Sequence, residues 1–111
     1  MPYDEALADR VRSLLIDQQV SKKRMFGGIA FLVAGHMAVA ASSQGGLMVR
    51  VEPVAGERLL TEPGAEPVVM GSRPAMKGWV LVRGVTLTDP VALEAWVQRG
   101  LRYVQSLPPK S

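Results

Sequence analysis

The chain has 111 residues, of which 48% are hydrophobic and 21% charged, a balance that fits one folded domain over residues 1–111 and excludes a disordered tail. Thirteen Lys and Arg against ten Asp and Glu give a net charge of +3, a smaller excess than a dedicated nucleic-acid module usually carries. The chain has no cysteine and a single histidine, which excludes disulfides, thiolate nucleophiles and metal sites built on Cys or on several His.

The first predicted element is an amphipathic helix over residues 4–17. Asp4 and Glu5 lie in its first turn, where the helix dipole favours negative charge. The predicted apolar stripe of the helix has a spacing of three to four residues and consists of Leu7, Val11, Leu14 and Leu15. After the helix, residues 20–24, with the sequence VSKKR, are interpreted as a polar connector.

Residues 25–43 are predicted to form strands. Gly27 and Gly28 are awkward inside a helix and indicate a bulge or a close backbone approach. Residues 29–34 are apolar at every position, so both faces of that strand are apolar. Gly35 and His36 are predicted to form a two-residue hairpin turn, after which the chain returns antiparallel.

A third strand is predicted after the turn at residues 42–46, which completes a meander. Leu47, Val49 and Val51 alternate with more polar residues and are expected to face inward. Beyond Pro53 the sequence predicts a short helix over residues 54–60, a short strand over 68–70, a loop over 71–78 and a strand over 79–82.

The last predicted element is a helix that begins at Pro90, with Asp89 as its cap. Gly100 lies on the apolar stripe of this helix, where it costs about 1 kcal/mol relative to alanine. We therefore expect a close contact with the sheet at Gly100. The stripe itself consists of Leu93, Trp96, Val97, Val104 and Leu107.

These elements predict an α+β fold with two layers. An antiparallel sheet of about five strands, with a central meander, carries the N- and C-terminal helices on one face. Small domains seldom expose an apolar sheet face to water, so we expect a homodimer through the second face or through a sheet edge. The apolar residues predicted on that second face are Ala30, Leu32, Ala34 and Met48.

The sequence offers no catalytic grouping. His36 has no nucleophile or carboxylate motif beside it and is interpreted as a solvated turn residue. The glycine pairs match no phosphate-binding loop, and no pair of carboxylates has a spacing that fixes acid–base geometry. We therefore expect no catalytic residue, no metal site and no cofactor, and a protein that is not an enzyme.

Two segments, residues 23–28 and 73–79, each combine cations, a methionine, an aromatic ring and glycine. Such a mixture suits a peptide groove, and it also suits a weak polyanion site with a base stacked on Trp79. The simpler interpretation is that the aromatic rings belong to the core and the cations are solvated. The candidate interaction residues are Lys23, Arg24, Phe26, Arg73, Met76, Lys77 and Trp79.

The sequences RMFGGIAF at residues 24–31, LMVRV at 47–51 and MKGW at 76–79 resemble the N-terminal domain of TfoX/Sxy-type competence regulators. The resemblance spans nearly the whole chain. It implies an α+β domain with an antiparallel sheet and terminal helices, in a non-enzymatic bacterial protein connected with the regulation of DNA-uptake genes. Full competence regulators carry a second, C-terminal helical domain. The resemblance covers only the N-terminal domain, so we expect a single-domain member of the family.

The leading functional expectation is a cytoplasmic protein that acts through protein contacts, as a homodimer with an unidentified partner and with a role in transcriptional or competence regulation. No apolar stretch reaches the ~20 residues of a membrane helix, and the acidic N-terminus is unlike a secretory signal, so no membrane contact is expected. The alternative is weak, salt-sensitive nucleic-acid binding through residues 22–24 and 73–77. A third interpretation is an enzyme or small-ligand protein that uses the loop around Trp79.

Overall fold

The computed structural model describes residues 3–25, 27–43, 45–69 and 77–108. Three helices and six strands form an α+β fold in these ranges, as predicted. A 3₁₀ turn, Thr86–Thr88, precedes the last helix. The helices are α1 (Glu5–Leu14), α2 (Pro53–Leu59) and α3 (Pro90–Gln105), and the strands are β1 (Val20–Met25), β2 (Gly28–Val33), β3 (His36–Ala41), β4 (Leu47–Arg50), β5 (Ala65–Pro67) and β6 (Trp79–Val82).

The strands form one antiparallel sheet in the order β1-β2-β3-β4-β6-β5. The first four strands are a meander, which confirms the predicted central meander. The chain then leaves the sheet through α2, forms β5 at the far edge, and returns as β6 between β4 and β5. The sheet therefore has six strands rather than about five.

The additional strand is β1, and the prediction of a polar connector over residues 20–24 was wrong. β1 is paired to β2 over its whole length. Its four central residues are exposed, so no apolar alternation marks the strand in the sequence. The predicted strand over 68–70 was also wrong, because β5 ends at Pro67 and Met70 lies outside the described residues.

The hairpin between β2 and β3 turns at Ala34 and Gly35, one residue earlier than predicted. Both residues have positive φ, 52° and 82°, as a type I′ turn requires. His36 is consequently the first residue of β3 and not part of the turn. A bulge opposite Phe31 then shifts the register of the two strands.

The core lies between the sheet and the helices. One row of directly paired residues crosses four strands and is almost completely buried: Phe31, Val39, Val49 and Val80. Burying each such side chain contributes roughly 1.5–3 kcal/mol. Above this row α3 buries the predicted Leu93, Trp96, Val97 and Val104, together with Leu101.

Gly100 allows α3 to lie directly on the sheet. A Cβ at this position would be 2.6 Å from the carbonyl oxygen of Ala38 and 3.0 Å from Cγ1 of Val39. Because the distance to the backbone oxygen leaves no room for a methyl group, the predicted close contact is confirmed. The predicted helix start is confirmed as well, since the Asp89 side chain accepts a hydrogen bond from the backbone N–H of Val91.

Candidate functional site

The sheet face opposite the helices is the first candidate surface. The buried apolar side chains of the helices all belong to one core. Ala30 and Ala40 are not part of that core. Both alanines belong to the row of directly paired residues that faces away from Phe31 and Val39. We call this surface the open face and define it by Ala30, Leu32, Met37, Ala40, Met48 and Leu81.

The small residues of the open face are buried. Ala30 and Ala40 are 0% and 8% exposed, whereas the larger side chains of the surface are half-buried. The predicted apolar character of Ala30, Leu32 and Met48 on this face is confirmed. Ala34 was wrongly placed there, because it lies in the exposed turn before β3.

The second candidate surface is the basic edge strand β1. Lys22, Lys23 and Arg24 are exposed, and none of the three makes an ion pair with a residue in the described ranges. Lys23 is directly opposite Ala30, so it lies at the border of the open face. Lys22 is opposite Phe31 and Arg24 opposite Ile29, on the side of the sheet that carries the helices.

The predicted candidate residues of the second segment lie far from β1. Trp79 is the half-buried first residue of β6, and Lys77 is exposed in the turn before it. Four strand spacings of about 4.8 Å separate β1 from β6, which is about 19 Å across the sheet. Lys23 and Arg24 therefore do not share one site with Lys77 and Trp79. Phe26, Arg73 and Met76 lie outside the described residues.

A cleft of about 150 Å³ lies between α1 and the β1–β2 edge. Its apolar lining comes from Ala8, Ile29 and Phe31, with Tyr3 beside them. Its charged lining comes from Glu5, Asp9, Arg12 and Lys22, of which Asp9 and Arg12 form an ion pair at 2.7 Å. The sequence did not indicate this cleft, because the cleft depends on where α1 lies relative to β1 and β2, and β1 was not predicted as a strand.

His36 is buried, and the prediction that it is a solvated turn residue was wrong. The side chain is 8% exposed, and its Nε2 lies 2.6 Å from the carbonyl oxygen of Pro108. No described group pairs with its Nδ1. The imidazole therefore connects Pro108, which follows α3, to the start of β3. Only the tertiary fold reveals this structural role.

Along the described ranges, no helix is long and apolar enough to cross a bilayer. In the same ranges, no three His, Cys, Asp or Glu side chains are grouped so that they could hold a metal ion.

Comparison with known protein families matches residues 12–103 to the TfoX N-terminal domain. The match covers all six strands, α2 and most of α3. No curated protein matches the chain.

Proposed function

This chain belongs to the TfoX N-terminal domain family, and we propose that it is a non-enzymatic regulatory domain that works through contacts with other proteins, in gene regulation of the competence type. The family membership supports the regulatory role. The open face supports the mode of action, because an apolar sheet surface gains stability when another surface covers it.

A second copy of the chain is the partner we propose for the open face. Identical apolar sheets pack face to face at about 10 Å, and a two-fold axis makes one surface complementary to itself. Ala30 and Ala40 have small side chains and lie beside the larger Leu32 and Met48, so the face has depressions and protrusions. The protrusions of a second copy can fit into the depressions.

Charge at the two ends of one row favours a particular arrangement of the copies. Lys23 and Glu66 terminate the row that runs through Ala30, Ala40 and Met48. A two-fold axis parallel to the strands would place β1 of one copy over β5 of the other, with Lys23 near the ion pair of Glu66 and Arg83 (3.2 Å) rather than near a second lysine. An axis perpendicular to the strands would place lysine near lysine, which is unfavourable.

The oligomeric state tests this proposal. Sedimentation velocity over a dilution series should show the wild-type chain at twice its mass of 12.0 kDa. Met48→Glu should weaken self-association by on the order of 100-fold, because a buried unpaired charge costs ~3 kcal/mol or more. Val85→Glu, at a position 75% exposed outside the open face, carries the same charge change and should leave the dimer intact. A wild-type chain that stays monomeric at the highest concentration would contradict the proposal.

Direct nucleic-acid binding has weaker support. It requires a continuous basic surface, and Lys23 and Lys77 are separated by the width of several strands. The cations of β1 form a local basic strip, and Trp79, the ring predicted to stack on a base, lies four strands away from it.

A further inference from the structure

β1 is an edge strand with one side unpaired. Within the described part of the chain, all six of its residues pair with β2 and none pairs with another strand. An antiparallel strand directs alternate N–H and C=O groups to each side, so half of the backbone groups of β1 face outward. Such an edge is a template on which an extended segment can add as a further strand.

The side chains beside this edge carry positive charge without a partner. Lys22 and Arg24 project to the helix side of the sheet, two residues and about 6.8 Å apart along the strand. Both are exposed and neither forms an ion pair with a described residue. An added strand with two carboxylates at alternate positions on the same side would match this spacing.

The cleft next to β1 adds an apolar component. Lys22 lines it together with Ile29 and Phe31, so a side chain of an added strand would lie close to its mouth. The cleft is open to solvent and has a volume of about 150 Å³. Of the cleft's own carboxylates, Asp9 is paired with Arg12 at 2.7 Å, and Glu5 forms no ion pair with Lys22.

We propose that β1 binds an extended acidic segment of a partner protein by strand addition, with carboxylates at alternate positions against Lys22 and Arg24 and an apolar side chain at the cleft. This surface is separate from the open face and goes beyond the proposed dimer. A second copy is a poor occupant of β1, because antiparallel pairing of two such strands sets cations opposite cations. A nucleic acid would use the charge but neither the unpaired backbone nor the apolar lining.

The test uses the full chain and short synthetic peptides in which glutamate alternates with valine. Titration of isotopically labelled protein should shift the amide signals of β1 and slow the exchange of its outward amides. Two peptide versions carry N-methyl groups on alternate backbone amides, one set on the odd positions and one on the even. Because an added strand pairs through one edge only, one methylated version should lose binding and the other should keep it.

Protein variants separate the strand from general electrostatics. The double variant Lys22→Gln/Arg24→Gln should weaken peptide binding by about tenfold, as expected for two partly exposed ion pairs. The control Arg58→Gln/Arg102→Gln removes the same charge from exposed positions on α2 and α3 and should bind as the wild type does.

Three results would overturn the proposal. The first is that no β1 amide signal moves at millimolar peptide concentration. The lysines and arginine would then only protect the edge against aggregation. Equal binding of both methylated versions would show attraction without strand pairing. Tighter binding of a single-stranded oligonucleotide than of the peptide, lost in the Lys22→Gln/Arg24→Gln variant, would assign the strip to nucleic acid. Each result is independent of the sedimentation experiment on the open face.

Discussion

Replacing Gly100 by alanine tests how closely α3 is packed on the sheet. Helix propensity alone favours alanine by about 1 kcal/mol. The added methyl group would lie 2.6 Å from the backbone oxygen of Ala38 and 3.3 Å from Cγ1 of Val49. A backbone oxygen cannot rotate away, so the helix must move off the sheet, at an overpacking cost of typically ~1–3 kcal/mol.

We expect the clash to outweigh the gain in propensity, so that Gly100→Ala lowers the free energy of unfolding by up to about 2 kcal/mol. Urea denaturation at a fixed protein concentration measures it, and an unchanged slope with a lower midpoint would indicate a change in stability alone. Ala95→Gly, at an exposed position of the same helix, is the matched control and should cost about 1 kcal/mol from propensity. A Gly100→Ala protein that is more stable than the wild type would refute the reasoning.

Two further substitutions test contacts at the ends of α3. Asp89→Ala removes the side-chain acceptor 2.9 Å from the N–H of Val91 and should lower stability by ~1 kcal/mol, while Asp17→Ala, at an exposed position with no cap, should be neutral in the same thermal melt. His36→Ala removes the group 2.6 Å from the Pro108 carbonyl oxygen and should cost about 1–2 kcal/mol, with faster amide exchange confined first to the last turn of α3. Unchanged exchange there would mean that the imidazole does not hold the C-terminal end.

The parts of the fold that were predicted from the sequence have local causes. Asp89 and Pro90 are a start signal that operates within one turn of helix, and the stripe from Leu93 to Val104 reflects the helical period. The close contact at Gly100 was inferred from an absent side chain on an apolar stripe, and the structure confirms it.

The errors have tertiary causes. β1 was missed because an exposed edge strand with consecutive cations shows no two-residue alternation. The hairpin turn was placed one residue late because glycine was expected first, whereas Ala34 adopts a positive φ before Gly35. That single-residue shift moves His36 into β3, where a carbonyl 72 residues away along the chain becomes its partner.

The candidate site was predicted in part. Ala30 and Leu32 were placed on this face because their strand is apolar at every position, and Met48 because Leu47, Val49 and Val51 alternate with it. The separation of Lys23 from Lys77 does not follow from the sequence, because it depends on β6 inserting between β4 and β5. The order of strands in a sheet depends on tertiary packing, and a local sequence pattern does not predict it.

Intermolecular nuclear Overhauser effects across a mixed dimer test the central claim most directly. Both copies would be deuterated. One would carry protonated, labelled methyl groups at methionine only, and the other would carry protonated methyl groups at alanine and leucine only. We predict effects from the Met48 methyl group of one copy to the Ala40 methyl group of the other, because placing β1 over β5 also places β4 over β3. A mixed sample without such effects, at a concentration where sedimentation shows a dimer, would contradict the claim that a second copy covers this face.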